Sequence, residues 1–248
     1  MHPKIKWKGK ERDMLEFAKT PPKGWNSWDV YGASVTEEEV KRNADIMAEK
    51  LKKYGWNYVV VDIQWYEPGA ESAAYRKFAD LKIDEYSRVL PAENRFPSSA
   101  DGVGFAPLAE YVHQLGLKFG IHILRGIPRQ AVHGRMHIKG TDKTADQIAV
   151  NSICPWNSDM YGVDMSIPEG QLYYDSLMEL YASWGVDFIK VDDIAYSTIY
   201  RDSHRKEIEG IRKAIDKNGT GHCTFPFAGT GKTAGWKFSS KKLQICGD

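Results

Sequence analysis

Cysteine is scarce: the 248 residues hold three, Cys154, Cys223 and Cys246. Three widely spaced thiols form neither a disulfide framework nor a zinc pattern, which excludes a cysteine-stapled scaffold and a structural zinc domain. An excess of charge is missing too. Lys+Arg 34 against Asp+Glu 33 leaves a formal net charge of +1, which gives no general footprint for nucleic acid or an anionic membrane surface. No apolar run approaches the roughly 20 residues that cross a bilayer. The opening "MHPKIKWKGKERDML" carries charge but no apolar stretch of the kind a secretory leader needs. Aromatics, by contrast, are plentiful, with Trp 8, Tyr 13 and Phe 9. They suit carbohydrate faces as well as ordinary cores.

The pattern along the chain is strand, polar loop, helix, glycine. "GWNSW" (24–28) follows a Pro-Pro pair and reads as a strand end with a loop. Thr36 and Glu39 have capping-box spacing at the head of a helix over 36–55, with Val40, Ala44, Met47, Ala48 and Leu51 on one face and Gly55 as the stop. "WNYVVVDIQWY" (56–66), "LKFGIHILRGI" (117–127) and "VDFIKVDDI" (186–194) read as strands. Residues 105–116 and 171–185 read as helices, and Ile208, Ile211 and Ile215 mark a last one ending near Asn218. Continuous apolar strands separated by helices imply a parallel sheet covered on both faces. Long loops or insertions are expected at 67–101 and 128–168. After residue 219 the chain shows no helical period and no clear strand.

The loops that follow such strands build the site. The polar residues there are Trp28 and Asp29, Asp62 and Gln64, His122 and Arg125, and Lys190, Asp192 and Asp193. Side chains alternate along a strand, so Lys190 and Asp192 share a face and Asp193 points away or lies in the loop. An ammonium close by favours the carboxylate anion, so Asp192 is expected to be oriented by Lys190 and to suit a nucleophile better than a general acid. A structural ion pair fits these two residues equally well. Asp62 reads as an acceptor for substrate hydroxyls, or as a cap or loop-binding carboxylate.

Two other signals are weaker. "FAGTGKT" (227–233) lacks the first glycine of a phosphate-binding loop, since Pro226 stands there, and no apolar strand leads in. His133 and His137 have helical i, i+4 spacing but no intervening acid and a glycine between them, which fits a solvated pair better than a metal site. No metal or cofactor is expected.

Five segments in order, "PPKGWNSWDVYG", "YVVVDIQWY", "LKFGIHI", "CPWNSDMYGVDMS" and "WGVDFIKVDD", resemble glycoside hydrolase family 27, the α-galactosidase family, over roughly residues 20–215. The resemblance implies a (β/α)8 TIM barrel, truncated here to about the first four or five β/α units, and retaining hydrolysis of terminal α-galactosides or related sugars. It places the nucleophile on Asp192 and substrate contacts on Trp28, Asp62, His122 and Lys190. The partner it implies is a carbohydrate. Family members are often secreted, periplasmic or lysosomal, and the compartment and oligomeric state are left open. Three positions depart from the family's α-galactosidases. Ile63 replaces a second aspartate, His122 stands where a tyrosine is common, and Arg125 is atypical. Isoleucine cannot accept sugar-hydroxyl bonds. The family also includes β-L-arabinopyranosidases, α-N-acetylgalactosaminidases and isomaltodextran-cleaving enzymes.

Retaining hydrolysis needs two carboxyl groups about 5–5.5 Å apart. The family's acid/base is an aspartate after strand six, beyond a Trp-Arg pair, and no such segment is present. The chain therefore divides into an N-terminal extension (1–20), a partial barrel (21–219) and an aberrant tail (220–248). One permitted coding of 225–231, read one base later, gives S-L-S-P-G-P-A, which is similar to the family's fifth-strand motif. One coding of 243–248, read two bases later, gives A-N-M-W-R, similar to the segment before its acid/base. A reading frame shifted near Thr220, and again between Gly231 and Leu243, accounts for both. The expectation is an inactive, association-prone half barrel. The alternatives are a non-catalytic sugar-binding or interaction fragment and, more weakly, a lyase with Lys190 as a Schiff base.

Overall fold

The computed structural model describes residues 22–194, 203–218 and 227–229. The first unit is β1 (Gly24–Asn26), the short α1 (Trp28–Tyr31) and α2 (Glu37–Ile46). Next come β2 (Tyr58–Val61) and α3 (Ala106–Gln114), then β3 (Lys118–Leu124). A region of short elements follows: β4 (Ile127–Pro128), α4 (Arg129–His133), α5 (Ala145–Ile148), β5 (Ala149–Val150) and β6 (Met160–Val163). The chain then forms α6 (Pro168–Ser183), β7 (Phe188–Asp192), α7 (Ser203–Asn218) and β8 (Phe227–Gly229). Strands β1, β2, β3, β7 and β8 lie side by side in that order and all run parallel. The fold is α/β, built on one parallel sheet.

Helix α2 starts where its capping box places it. Thr36 Oγ1 accepts from the Glu39 amide, and the Glu39 carboxylate accepts from the Thr36 amide at 2.8 Å. The helix leaves α geometry at Met47–Leu51, one π turn, then tightens over Lys52–Tyr54 and stops at Gly55, whose φ of 86° favours glycine. Thr36→Ala is expected to cost about 1 kcal/mol, because it removes the reciprocal cap. A urea titration followed by circular dichroism measures it, and an unchanged midpoint would contradict the assigned role.

The two faces of the sheet differ. Val59, Val61, Phe119, Ile121, Ile123, Ile189 and Val191 point into the main core, together with α3 and α6 residues such as Leu108, Val112, Tyr173 and Leu177. The opposite face holds a small separate cluster of Val60 and Phe188 with Tyr58 against it. Gly120 lies between them, and a Cβ there would stand 3.1 Å from the Phe188 side chain. The parallel register sets Gly120 beside Phe188, His122 beside Lys190 and Leu124 beside Asp192. The second face thus runs from an apolar floor up to a polar rim at the carboxyl ends of the strands.

Two expectations need correction and one is narrowed. The strands are shorter than the apolar runs: β2 ends at Val61 and β3 at Leu124, because the chain turns out of the sheet to present Asp62 and Arg125. The stretch 128–168 is an insertion and not a bare loop. It forms a three-stranded antiparallel sheet with β4 (order β4-β6-β5), plus two short helices, all too short to leave a periodic signal. Phe227–Gly229, in a segment with no clear strand signature, pairs with β7 as β8. The rest of the tail, including the "FAGTGKT" residues after Gly229, the recoded stretch 243–248, Cys223 and Cys246, lies outside the described residues, as does the extension 1–20.

Candidate active site

The rim begins with "GWNSW". The Asn26 side chain accepts from the Trp28 amide at 3.0 Å, holding the indole at the end of β1. Ser27 is fully buried, and its hydroxyl accepts from the Asp62 amide at 2.8 Å. Both polar residues of the motif therefore position a neighbour. Trp65, just after β2, donates its indole N–H to the His122 carbonyl at 2.7 Å and packs edge-on against Tyr66, Phe105, Tyr181 and Trp184. That contact joins the ends of β2 and β3.

Four side chains converge on the rim. Lys190 Nζ donates to Asp62 Oδ2 at 2.9 Å and lies 3.9 Å from Asp192 Oδ2. His122 Nε2 meets Asp192 Oδ2 at 2.8 Å, and the imidazole is fully buried. Lys190 is therefore between two carboxylates and favours Asp62. The direct hydrogen-bond partner of Asp192 is His122, and the Lys190 ammonium stands beside the same oxygen at 3.9 Å. Asp192 Oδ1 has no hydrogen-bond partner among the described residues. Burial pushes the Asp62 carboxyl up, but the His122 ring, the Lys190 ammonium and the Ile63 amide outweigh it and hold the group below the usual carboxylate range. Among the described residues Asp62 caps no helix, but its Oδ1 accepts from the Ile63 amide in the following loop at 2.8 Å.

Asp193 departs from the rim, as strand alternation implies. Its φ is 58°, in the left-handed region. Its carboxylate meets Arg125 Nη2 at 2.6 Å, and Arg125 Nη1 meets Glu207 of α7 at 2.7 Å. The same guanidinium donates to the Asp193 and Ser152 carbonyls, and the Arg125 amide donates to the Asp192 carbonyl at 3.2 Å. Tyr174 closes the group on Glu207 at 2.5 Å. Burial pushes the Asp193 and Glu207 carboxyls up, with Arg125 opposing it. Arg125 is thus a buried clasp behind the rim, tying the ends of β3 and β7 to α7. Cys154 is buried nearby, its thiol pushed up to about 12 by burial and by the Asp193 charge.

Ring contacts extend the rim outward. Trp28 stacks on Tyr75 with centroids 5.7 Å apart, and Tyr75 leans on Trp156 at 5.7 Å. Ser27, Tyr75, Trp156 and Glu207 were not among the expected site residues. Ser27 and Trp156 are inside recognised motifs, whereas Tyr75 stands in a segment without periodicity and Glu207 on a helix far along the chain.

No family model matches the chain. Among solved structures, a family 27 β-L-arabinopyranosidase from Geobacillus stearothermophilus is 61% identical, with a TM-score of 0.85 over 89% of this chain and 50% of that one. The chain belongs to glycoside hydrolase family 27. A second structure, from Bacillus halodurans C-125 and named as a candidate α-N-acetylgalactosaminidase, is 57% identical with a TM-score of 0.80, over 89% of this chain and 52% of that one. The Cyamopsis tetragonoloba α-galactosidase is 27% identical over 178 residues, 71% of this chain and 31% of its own. The chain thus spans about half the length of these solved family 27 relatives and about a third of the curated one.

Proposed function

We propose that these residues form the sugar-binding and nucleophile half of a retaining glycosidase site, on the first strands of a (β/α)8 barrel, and that the preferred sugar is a terminal β-L-arabinopyranoside. The observation that carries the reading is the Asp62–Lys190–Asp192–His122 chain at the carboxyl ends of three adjacent parallel strands. Asp192 is the nucleophile: His122 anchors one carboxylate oxygen and leaves the other to attack the anomeric carbon. Lys190 keeps Asp62 ionised, so Asp62 accepts sugar hydroxyls, and Trp28 walls the ring. A β-L-arabinopyranoside matches an α-D-galactopyranoside in its ring hydroxyls but lacks the C6 hydroxymethyl. Ile63 suits the smaller sugar, having no acceptor where the family's α-galactosidases carry a second aspartate. The name of the Geobacillus relative supports the same choice.

The general acid is a separate matter. It needs a carboxyl with a raised pKa facing the leaving group. Asp62 is held ionised, Asp193 and Glu207 are locked on Arg125, and Asp159, raised by burial, accepts from Gln64 and Tyr66, so we assign the acid to none of them. Binding without turnover follows as the reading for the 248-residue chain. Calorimetry with methyl β-L-arabinopyranoside and methyl α-D-galactopyranoside tests the preference, with the arabinoside expected to bind roughly tenfold tighter, as one unaccommodated group commonly costs. The methyl glycosides, whose alkoxide leaving group needs protonation, are expected to stay intact. Tighter binding of the galactoside would overturn the sugar assignment, release of free arabinose from the methyl glycoside would overturn the missing acid, and no binding at all would leave only an interaction role.

A further inference from the structure

Two rings at the rim have no part in the machinery above. Tyr75 stands in the stretch 67–101 and Trp156 in the stretch 128–168, and they meet above the strand ends. The order from the interior outward is the Asp62 and Asp192 carboxylates, then Trp28 and Tyr75, both half-buried, then Trp156 at 45% exposed. The Tyr75 phenol is pushed well up by burial and by the charges of Asp62 and Asp192, so it remains a neutral ring with an O–H within electrostatic reach of both carboxylates. The loops that carry the rings are fastened to each other. The Phe78 amide donates to Ser158 Oγ at 2.8 Å, and the Leu81 amide donates to Gln130 Oε1 at 2.8 Å, with the Gln130 amide returning to the Leu81 carbonyl. Trp156 is two residues from Ser158, so the two rings are held by a braced pair of loops.

A group leaving the anomeric carbon departs on the side away from the nucleophile, toward the open rim. There it meets aromatic faces, and among the described residues no cation lies over a ring of the stack. We infer that Tyr75 and Trp156 form the subsite for the leaving group, and that it takes an aglycone with a flat apolar face, such as an aryl ring or the C–H face of a second pyranose. This inference rests on the sugar site proposed above. Trp28 contacts the reacting sugar, Tyr75 spans the junction, and Trp156 holds the aglycone.

Two ligands that differ only in the aglycone test it on the whole 248-residue chain: methyl and 4-nitrophenyl β-L-arabinopyranoside, titrated by calorimetry. The nitrophenyl glycoside is expected to bind roughly tenfold tighter, the size of one or two aromatic contacts. Trp156→Ala is expected to remove most of that advantage while the Kd for the methyl glycoside stays unchanged, and Tyr75→Ala is expected to weaken the nitrophenyl glycoside more than the methyl one. Tyr75→Phe is expected to keep it. Trp156 is exposed, so its variant is safe for folding, and circular dichroism checks both. Equal affinity of the parent chain for the two ligands overturns the inference and leaves the sugar site standing. So does an equal loss for both ligands in a folded Tyr75→Ala. Failure of the parent to bind either ligand overturns the sugar site, and this inference with it.

Discussion

Arg125→Met is expected to destabilise the fold by about 3–5 kcal/mol, the usual consequence of stranding a buried charge. Two carboxylates, Asp193 and Glu207, would lose the guanidinium that neutralises both. The Ser152 and Asp193 carbonyls would lose their donor as well. Both carboxyls already titrate higher in the fold than in the unfolded chain, because burial favours their neutral form. A raised carboxyl pKa makes protonation favour the folded state, and that contribution is lost as pH rises above the unfolded value near 4. The variant should therefore regain part of its deficit on acidification. Urea denaturation at pH 7 and at pH 5 measures both effects. A loss below 1 kcal/mol, or a larger deficit at pH 5 than at pH 7, would contradict the clasp. Arg125→Lys is expected to recover little, since an ammonium cannot reach two carboxylates and two carbonyls as a planar fork does.

Lys190→Met is expected to weaken sugar binding roughly a hundredfold, in line with truncating one member of a buried hydrogen-bonded charge pair. Lys190 keeps Asp62 anionic against the burial that opposes it. With the ammonium gone, burial is opposed only by His122 and the Ile63 amide, and the Asp62 pKa climbs. The sign is definite. In the parent, the depressed Asp62 pKa supplies stability above the unfolded value near 4 and loses it as pH falls through the lower folded value. Binding by the parent should accordingly persist down to about pH 4. In Lys190→Met the residual binding should fail at a higher pH, as Asp62 protonates. Calorimetric Kd values for methyl β-L-arabinopyranoside across pH 4–7 show this. Parallel pH profiles for the two chains would refute the assigned role of Lys190, whatever the absolute affinities.

Local physics made several features legible. The Thr36 and Glu39 cap could be read because both partners lie within one helical turn. The division of Lys190 and Asp192 from Asp193 could be read because strand alternation has a period of two. Strand ends were less legible. An apolar run such as 56–66 continues after β2 stops, because residues beyond the sheet are buried by loops, as Ile63, Trp65 and Tyr66 are. The elements within 128–168 escaped for the opposite reason, since strands of two to four residues carry no measurable period.

By itself, then, the sequence determined the α/β class, the family and the positions of the rim residues on their strands. These follow from short-range spacing and from motifs that each lie within a dozen residues or so. Only the tertiary structure decided the pairings. Asp62 meets Lys190 across 128 positions, His122 meets Asp192 across 70, and Arg125 meets Glu207 across 82. Lys190 has two carboxylates within reach, and the order of strands in the sheet, with β3 beside both β2 and β7, chooses Asp62 for the ammonium and leaves Asp192 to the imidazole. Charge attraction is non-specific about partners. Parallel register in the sheet makes it specific, and no one-dimensional reading contains that register.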